Sequence, residues 1–329
     1  MTTRWTTRTR KAYLSWLGLV SHEFFHVWNV KRLRPVELGP FDYERENHTR
    51  SLWVAEGFTE YYTDLMVHRA GLSTREEYLE QLSARIETLQ TTPGRLVQSA
   101  ALASFDAWIK HYRPDENTIN TSISYYTKGA IVAFLLDARI RAATGGARSL
   151  DDVVRAAFAE FAGPRGFTSD DIRRVVEGIA DLDLAPFWRD AVDGVAEMDY
   201  APALETLGLT FRPAAAASKV SFGATLKNDA GRLVIAQVRR DGPAHRAGLN
   251  VDDEVVALDG IRLRADRVDE RLEQYRDGDR VSLVVARRDR LMTLDLQFVQ
   301  EPGKRWQLEV ASQLSAAQER QLTGWLSGT

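Results

Sequence analysis

Residues 22–26 read His-Glu-Phe-Phe-His within an apolar, helix-prone stretch. On a helix, positions i and i+4 lie about 40° apart around the axis and one turn along it. His22 and His26 can therefore place both imidazoles on one metal ion. Glu23 lies beside them, within reach of a water activated by that ion. Two imidazoles and a base carboxylate at this spacing are the pattern of metal-dependent hydrolases. The pattern also constrains the fold. His22 and His26 must share a helix, and a third ligand must come from elsewhere in the chain. The chain has no cysteine, so zinc would have to be held by His and carboxylate.

The stretch Trp53–Tyr62 reads as the start of a second helix carrying Glu56, followed at once by Gly57 and Phe58. Two His and one Glu give Zn²⁺ three protein ligands and leave the fourth position open for water, as a catalytic site requires. One zinc per chain is expected. Glu60, one turn after Glu56, is placed to accept the free N–H of a ligating His. Pro35 and Pro40 forbid a continuous helix between the two elements. His48, in the intervening loop, is a second candidate ligand that fits the helix context less well than Glu56. Arg32 and Arg34 read as solvated or bonded to loop carbonyls.

The run His22–Pro35 together with Leu52–Tyr62 (LWVAEGFTEYY) resembles the glycyl aminopeptidase family of zinc metallopeptidases, as does Phe105–Trp108. The resemblance implies a multidomain chain: a mainly α-helical, thermolysin-like zincin (gluzincin) catalytic domain followed by a small α+β PDZ domain. It implies zinc on His22, His26 and Glu56, with Glu23 as general base. It also implies a catalytic role for Tyr126 in Ser124-Tyr125-Tyr126-Thr127-Lys128-Gly129, a segment similar to the one that supplies the oxyanion-stabilising tyrosine in related zinc aminopeptidases. Attack on an amide generates a gem-diolate, and a phenol aimed at it lowers the barrier. The substrate class implied is a peptide or protein with a small amino-terminal residue, Gly or Ala.

The chain of 329 residues is long enough for two or three domains. From Ser51 to about Gly194 the pattern is helical. Three capping boxes are expected, at Ser73/Glu76, Ser149/Asp152 and Thr168/Asp171, with stops at Gly71, Gly145-Gly146 and Gly163-Pro164. One helix is expected over Ala12–Trp28, with Leu14, Leu17, Phe24, Phe25 and Trp28 facing the core. Tyr78, Leu82, Ile86 and Leu89 also read as core. His68, His111 and His245 have no partner at ligand spacing and read as structural.

The expected organisation is 1–212 catalytic domain, 213–219 linker, 220–300 PDZ domain and 301–329 tail with a short helix capped by Ser315 and Gln318. Gly242–Leu249 and Asp252–Gly260 resemble the PDZ domains of bacterial proteases. By that resemblance Phe222-Gly223-Ala224 forms the loop that takes a peptide carboxylate, Val268–Tyr275 flanks the groove, and a protein C-terminus is the expected partner there, the alternative being a PDZ fold that only braces the catalytic domain.

A net charge of −3 gives no reason to expect nucleic acid as a partner. No apolar run approaches the ~20 residues of a membrane span. The cytoplasm is the default compartment. Periplasmic or secreted placement stays open, because relatives of this kind carry a β-rich domain ahead of the zinc helix and this sequence reads as truncated there. The segment that anchors the substrate amine in those relatives has no counterpart here, since no acidic residue precedes His22. Two rival readings follow from that gap: an endopeptidase, or an inactive remnant that binds peptides through its PDZ domain.

Overall fold

The computed structural model describes residues 7–213, 219–300 and 305–328. Residues 214–218 of the expected linker and 301–304 of the expected tail lie outside the described residues. Thr9 accepts a hydrogen bond from the Ala12 N–H and starts α1, Arg10–Phe25. The helix ends before the expected Trp28. The N–H groups of Val27 and Trp28 fold back onto the carbonyls of Phe24 and Phe25, and Val30 takes a positive φ of 131°. Of the residues expected to face inward, Leu14 is buried, and Leu17 and Phe25 are half-buried. Phe24 (62% exposed) and Trp28 (40%) point outward. The helix packs mainly on one partner, the helix that follows Glu56, so only one side of it finds a core.

Six further long helices follow: α2 Gly57–Arg69, α3 Arg75–Thr91, α4 Tyr125–Ala143, α5 Leu150–Phe161, α6 Ser169–Ala180 and, at the carboxyl end, α7 Ala316–Ser327. The boxes at Ser149/Asp152, Thr168/Asp171 and Ser315/Gln318 form. The box on α3 forms at Thr74/Glu77, one residue later than expected. The sequence Ser73-Thr74-Arg75-Glu76-Glu77 offers both frames. Ser73 Oγ is buried without a hydrogen-bond partner, and the Ser73 carbonyl accepts from His68 Nδ1 at 3.0 Å.

Helix α4 is buried almost all round, from Lys128 to Ala138, and forms the central post of the helical core. Helix α2 lies against it where two glycines meet. A Cβ on Gly57 would stand 2.5 Å from Gly129 Cα, and one on Gly129 would stand 2.6 Å from Trp53 O. Only glycine permits this approach, and it sets Glu56 beside the amino end of α4.

Strands β1 (Leu209–Phe211), β2 (Val220–Ser221), β3 (Ala224–Asp229), β4 (Arg232–Val238), β5 (Glu254–Leu258), β6 (Ile261–Arg262), β7 (Arg280–Arg287), β8 (Arg290–Gln297), β9 (Val299–Gln300) and β10 (Leu308–Val310) follow the helices. The sheet β3-β4-β5-β7-β8 surrounds a second core that includes Phe222, Ile235, Leu258, Leu283 and Phe298. The β7–β8 hairpin turns through Arg288 and Asp289, both at positive φ (48° and 63°), as a tight two-residue turn requires. The short helix Val268–Leu272 ends before the expected Tyr275.

The chain then returns to the first core. Strand β10 pairs antiparallel with β1. Trp325 of α7 is fully buried and donates from Nε1 to Tyr61 OH at 2.8 Å. Tyr61 in turn donates to Asp137 at 2.6 Å. Residues 308–328 are thus part of the helical core.

Candidate metal centre

His22 sits on the last turn of α1, and His26 closes that turn with helical φ and ψ. Glu56 lies at the junction between the short helix Leu52–Ala55 and α2, its N–H bonded to Leu52 O at 2.7 Å. Asn29 staples the two elements together. Its buried side-chain amide donates to Val54 O, Ala55 O and Thr59 Oγ1 at 3.0, 3.1 and 3.1 Å.

This staple brings three ligand atoms to one point. His22 Nε2 and His26 Nε2 are 3.1 Å apart, and Glu56 Oε2 stands 3.3 and 3.1 Å from them. Tetrahedral zinc ligands about 2.0–2.1 Å from the ion stand about 3.3 Å from one another. Glu56 Oε2 is buried and has no hydrogen-bond partner of acceptable geometry. A buried, unpaired carboxylate oxygen facing two imidazole nitrogens fits a bound cation. The donor set of two nitrogens and one oxygen suits a borderline divalent metal.

The outer face of each imidazole is fixed. His26 Nδ1 lies 2.8 Å from Asn29 O, so Nδ1 carries the proton and the Nε2 lone pair faces the cluster. His22 Nδ1 lies 3.0 Å from Glu60 Oε2 and 3.1 Å from Thr63 Oγ1. Glu60 therefore stands where its spacing placed it, and Arg85 grips its other oxygen at 2.6 Å while also pairing with Asp64. Burial disfavours charge on His22, but the Glu56 and Glu60 carboxylates outweigh it and raise its pKa to about 9. Burial likewise opposes charge on Glu56, and the two imidazoles overcome it, holding its pKa at about 2. Both shifts favour positive charge on the imidazoles beside a negative Glu56, the electrostatic setting of a cation site.

Tyr126 enters from the first turn of α4, its ring centroid 6.1 Å from that of His22. Glu23 follows His22 on α1 and is exposed. His48 is elsewhere, bonded to Phe105 O and stacked on the Phe105 ring. Arg32 binds the Val27 carbonyl at 2.7 Å. The sequence reading missed Asn29, Thr63, Asp64 and Arg85. A local signal existed for Asp64, one turn beyond Glu60. Arg85 comes from another helix and had none.

In the second core, Phe222 and Ala224 line a groove of about 310 Å³ with Leu226, Val268 and Leu272. Gly223, at φ +68°, turns the chain so that its carbonyl accepts the Arg239 N–H at 2.9 Å. Strand β3 is the edge of its sheet beside this groove.

A helical domain with a His, His, Glu cluster, joined to a peptide-groove module built on a six-stranded sheet, defines the class: a peptidase-type domain with a PDZ domain attached. Residues 15–132 match the M61 glycyl aminopeptidase family and residues 208–298 match the PDZ domain. A solved aminopeptidase N family protein from Idiomarina loihiensis is similar over 99% of this chain, at 30% identity and a TM-score of 0.86. This chain covers 57% of that protein. The HtrA-type protease AlgW with a decapeptide matches 26% of this chain and 30% of its own, at 26% identity and a TM-score of 0.24. A serine endoprotease from Yersinia pestis matches 25% of this chain and 29% of its own, at 17% identity and a TM-score of 0.23. These two likenesses are too slight to bear on function. No curated protein matches the chain. No helix among the described residues is long and apolar enough to cross a membrane.

Proposed function

We propose that the chain is a zinc-dependent metallopeptidase that releases small amino-terminal residues, Gly or Ala, from peptides. The observation that carries the reading is the mutual spacing of His22 Nε2, His26 Nε2 and Glu56 Oε2, 3.1–3.3 Å, with both Nδ1 atoms held from behind. When bound there, zinc supplies a Lewis acid that activates water at neutral pH and polarises the scissile carbonyl. Glu23 accepts the proton of the attacking water and passes it to the leaving amine. Tyr126 donates a hydrogen bond from its phenol to the oxygen that becomes negative. Glu60 holds His22 in the tautomer that leaves Nε2 free. The small-residue preference rests on the match of residues 15–132 to the M61 glycyl aminopeptidase family. The PDZ groove beside β3 takes the carboxyl end of a peptide by strand addition, through the Phe222-Gly223-Ala224 loop.

The test is hydrolysis of glycyl- and alanyl-arylamides by the zinc-loaded chain beside Glu23→Gln. The wild type is expected to cleave. Glu23→Gln is expected to retain its zinc and lose at least about 10²-fold in kcat, the contribution of a general base. Equal turnover by the variant, or turnover that survives removal of the metal, would overturn the reading.

A further inference from the structure

Three phenols stand together at the edge of the metal centre, and only one of them is used in the mechanism above. Tyr125 OH donates to Tyr112 OH at 3.2 Å, and Tyr112 OH lies 3.2 Å from Tyr126 OH. Tyr112 follows a π-helical turn, Ala107–His111, an irregularity that is frequent at functional sites. The Tyr112 ring is held by Trp108, with centroids 5.3 Å apart, and edge-on by His111 at 5.1 Å. The His111 ring also meets Tyr125 and Tyr126, at 5.0 and 5.7 Å. Tyr112 is 51% exposed, so burial alone does not account for this arrangement.

A phenol has one proton to give. Tyr112 accepts the proton of Tyr125, and either hydroxyl of the Tyr112–Tyr126 pair can donate to the other; in the arrangement in which Tyr112 donates, its proton is directed at the Tyr126 oxygen. Tyr126 is then a hydrogen-bond acceptor on one side, and its own proton is left for the substrate. Donor chains of this kind polarise along their length, each bond strengthening the next. Both O···O distances are long for phenols, and such contacts commonly tighten once charge develops in the complex.

We propose that Tyr112 is a positioning residue that hydrogen-bonds Tyr126 and strengthens its donation to the tetrahedral oxyanion, with Tyr125 feeding the same chain. This rests on the metallopeptidase reading above. No bond to substrate is made by Tyr112, and no proton leaves the chain of phenols.

The experiment compares the zinc-loaded wild type with Tyr112→Phe, Tyr126→Phe, Tyr125→Phe and the double variant Tyr112→Phe/Tyr126→Phe. Three quantities are measured: kcat and KM on a glycyl-arylamide, calorimetric affinity for a phosphinic dipeptide that mimics the tetrahedral state, and Tm. Tyr126→Phe is expected to lose about 10²–10³-fold in kcat. Tyr112→Phe is expected to lose about three- to tenfold in kcat and in phosphinate affinity, with KM and Tm nearly unchanged. Tyr125→Phe should lose less. In the Tyr126→Phe background the Tyr112 substitution should add nothing, because its effect passes through the Tyr126 hydroxyl.

An equal effect in both backgrounds makes Tyr112 a packing residue and overturns the proposal, as does full kcat in Tyr112→Phe. A wild type that holds zinc yet neither cleaves nor binds the phosphinate overturns the peptidase reading itself, and this proposal with it.

Discussion

The raised pKa of His22 makes a proton the competitor for the place proposed for the metal. That pKa of about 9 lies above the ordinary imidazole value of 6.5 because two carboxylates face the ring. A raised imidazole pKa contributes folding stability that is fully present below 6.5 and is lost as the pH rises through about 9. Zinc requires the neutral imidazole and must displace that proton. The rise in Tm on adding zinc to chelator-treated protein is therefore expected to be larger at pH 9 than at pH 6.5. An increment that does not change, or that shrinks, across this window would mean that the metal binds elsewhere. Glu60→Gln should weaken zinc about 10–100-fold, the usual cost of losing the group behind a ligating imidazole, and equilibrium dialysis against a competing chelator measures it. Glu60 was legible in the sequence because the helical repeat carries it one turn beyond Glu56. Arg85, which fixes Glu60, was not, since nothing in the sequence near it points to residue 60.

Single residues reach the site only because elements can approach closely enough, and here two glycines decide the matter. Gly57 follows the proposed ligand Glu56, and Gly129 follows Tyr126 by three. In the sequence they read as parts of two separate motifs. In the fold they face each other and let α2 and α4 touch backbone to backbone. Gly129→Ala would put a Cβ 2.6 Å from Trp53 O and 2.8 Å from Gly57 Cα. Neither neighbour is the end of a flexible side chain, so the helices must part. The expected cost is about 1–3 kcal/mol of stability. Tyr126 should also shift from the metal centre, with a fall in kcat larger than any change in KM. Gly178→Ala in α6 is the control. A Cβ there meets nothing within 4 Å, so the substitution should be neutral or stabilise by up to about 1 kcal/mol. Chemical denaturation of the two variants separates crowding from helix propensity. Periodicity placed most of the helices, but it could not place the end of α1. Phe24 and Trp28 continue the apolar pattern of the sequence, yet the chain turns at Phe25 to bring Asn29 beneath Glu56. The requirement of the site overrides the pattern.

At the scale of the whole molecule the PDZ domain is held between two parts of the helical domain. The chain leaves the helices at β1 and returns at β10, and these two strands pair with each other. A side chain makes a further fastening. The carboxamide of Asn120, almost fully buried, donates to Val238 O at 2.8 Å and accepts from Arg240 N–H at 2.8 Å, as a neighbouring strand would. Arg239, between them, binds the Thr91 carbonyl through its guanidinium, and its own N–H binds Gly223 O in the peptide-groove loop. Asn120 belongs to the short helix Thr118–Thr121, which leads to Ser124, the cap of α4, and so to Tyr126. None of this was legible in the sequence, because the partners are 118 and 120 residues apart and each looks locally like an ordinary loop residue. Asn120→Ala leaves two backbone groups at the end of β4 without their partner, a cost of about 1–3 kcal/mol for buried groups. Each domain keeps its own core, so both should stay folded. Amide hydrogen exchange resolved by segment is the measurement. Faster exchange is expected at 238–240 and also at 118–126, with β7 unchanged. A change confined to 238–240 would make the contact a local fastening with no hold on the tyrosine. A change in both segments would mean that the contact also steadies the segment that leads to Tyr126.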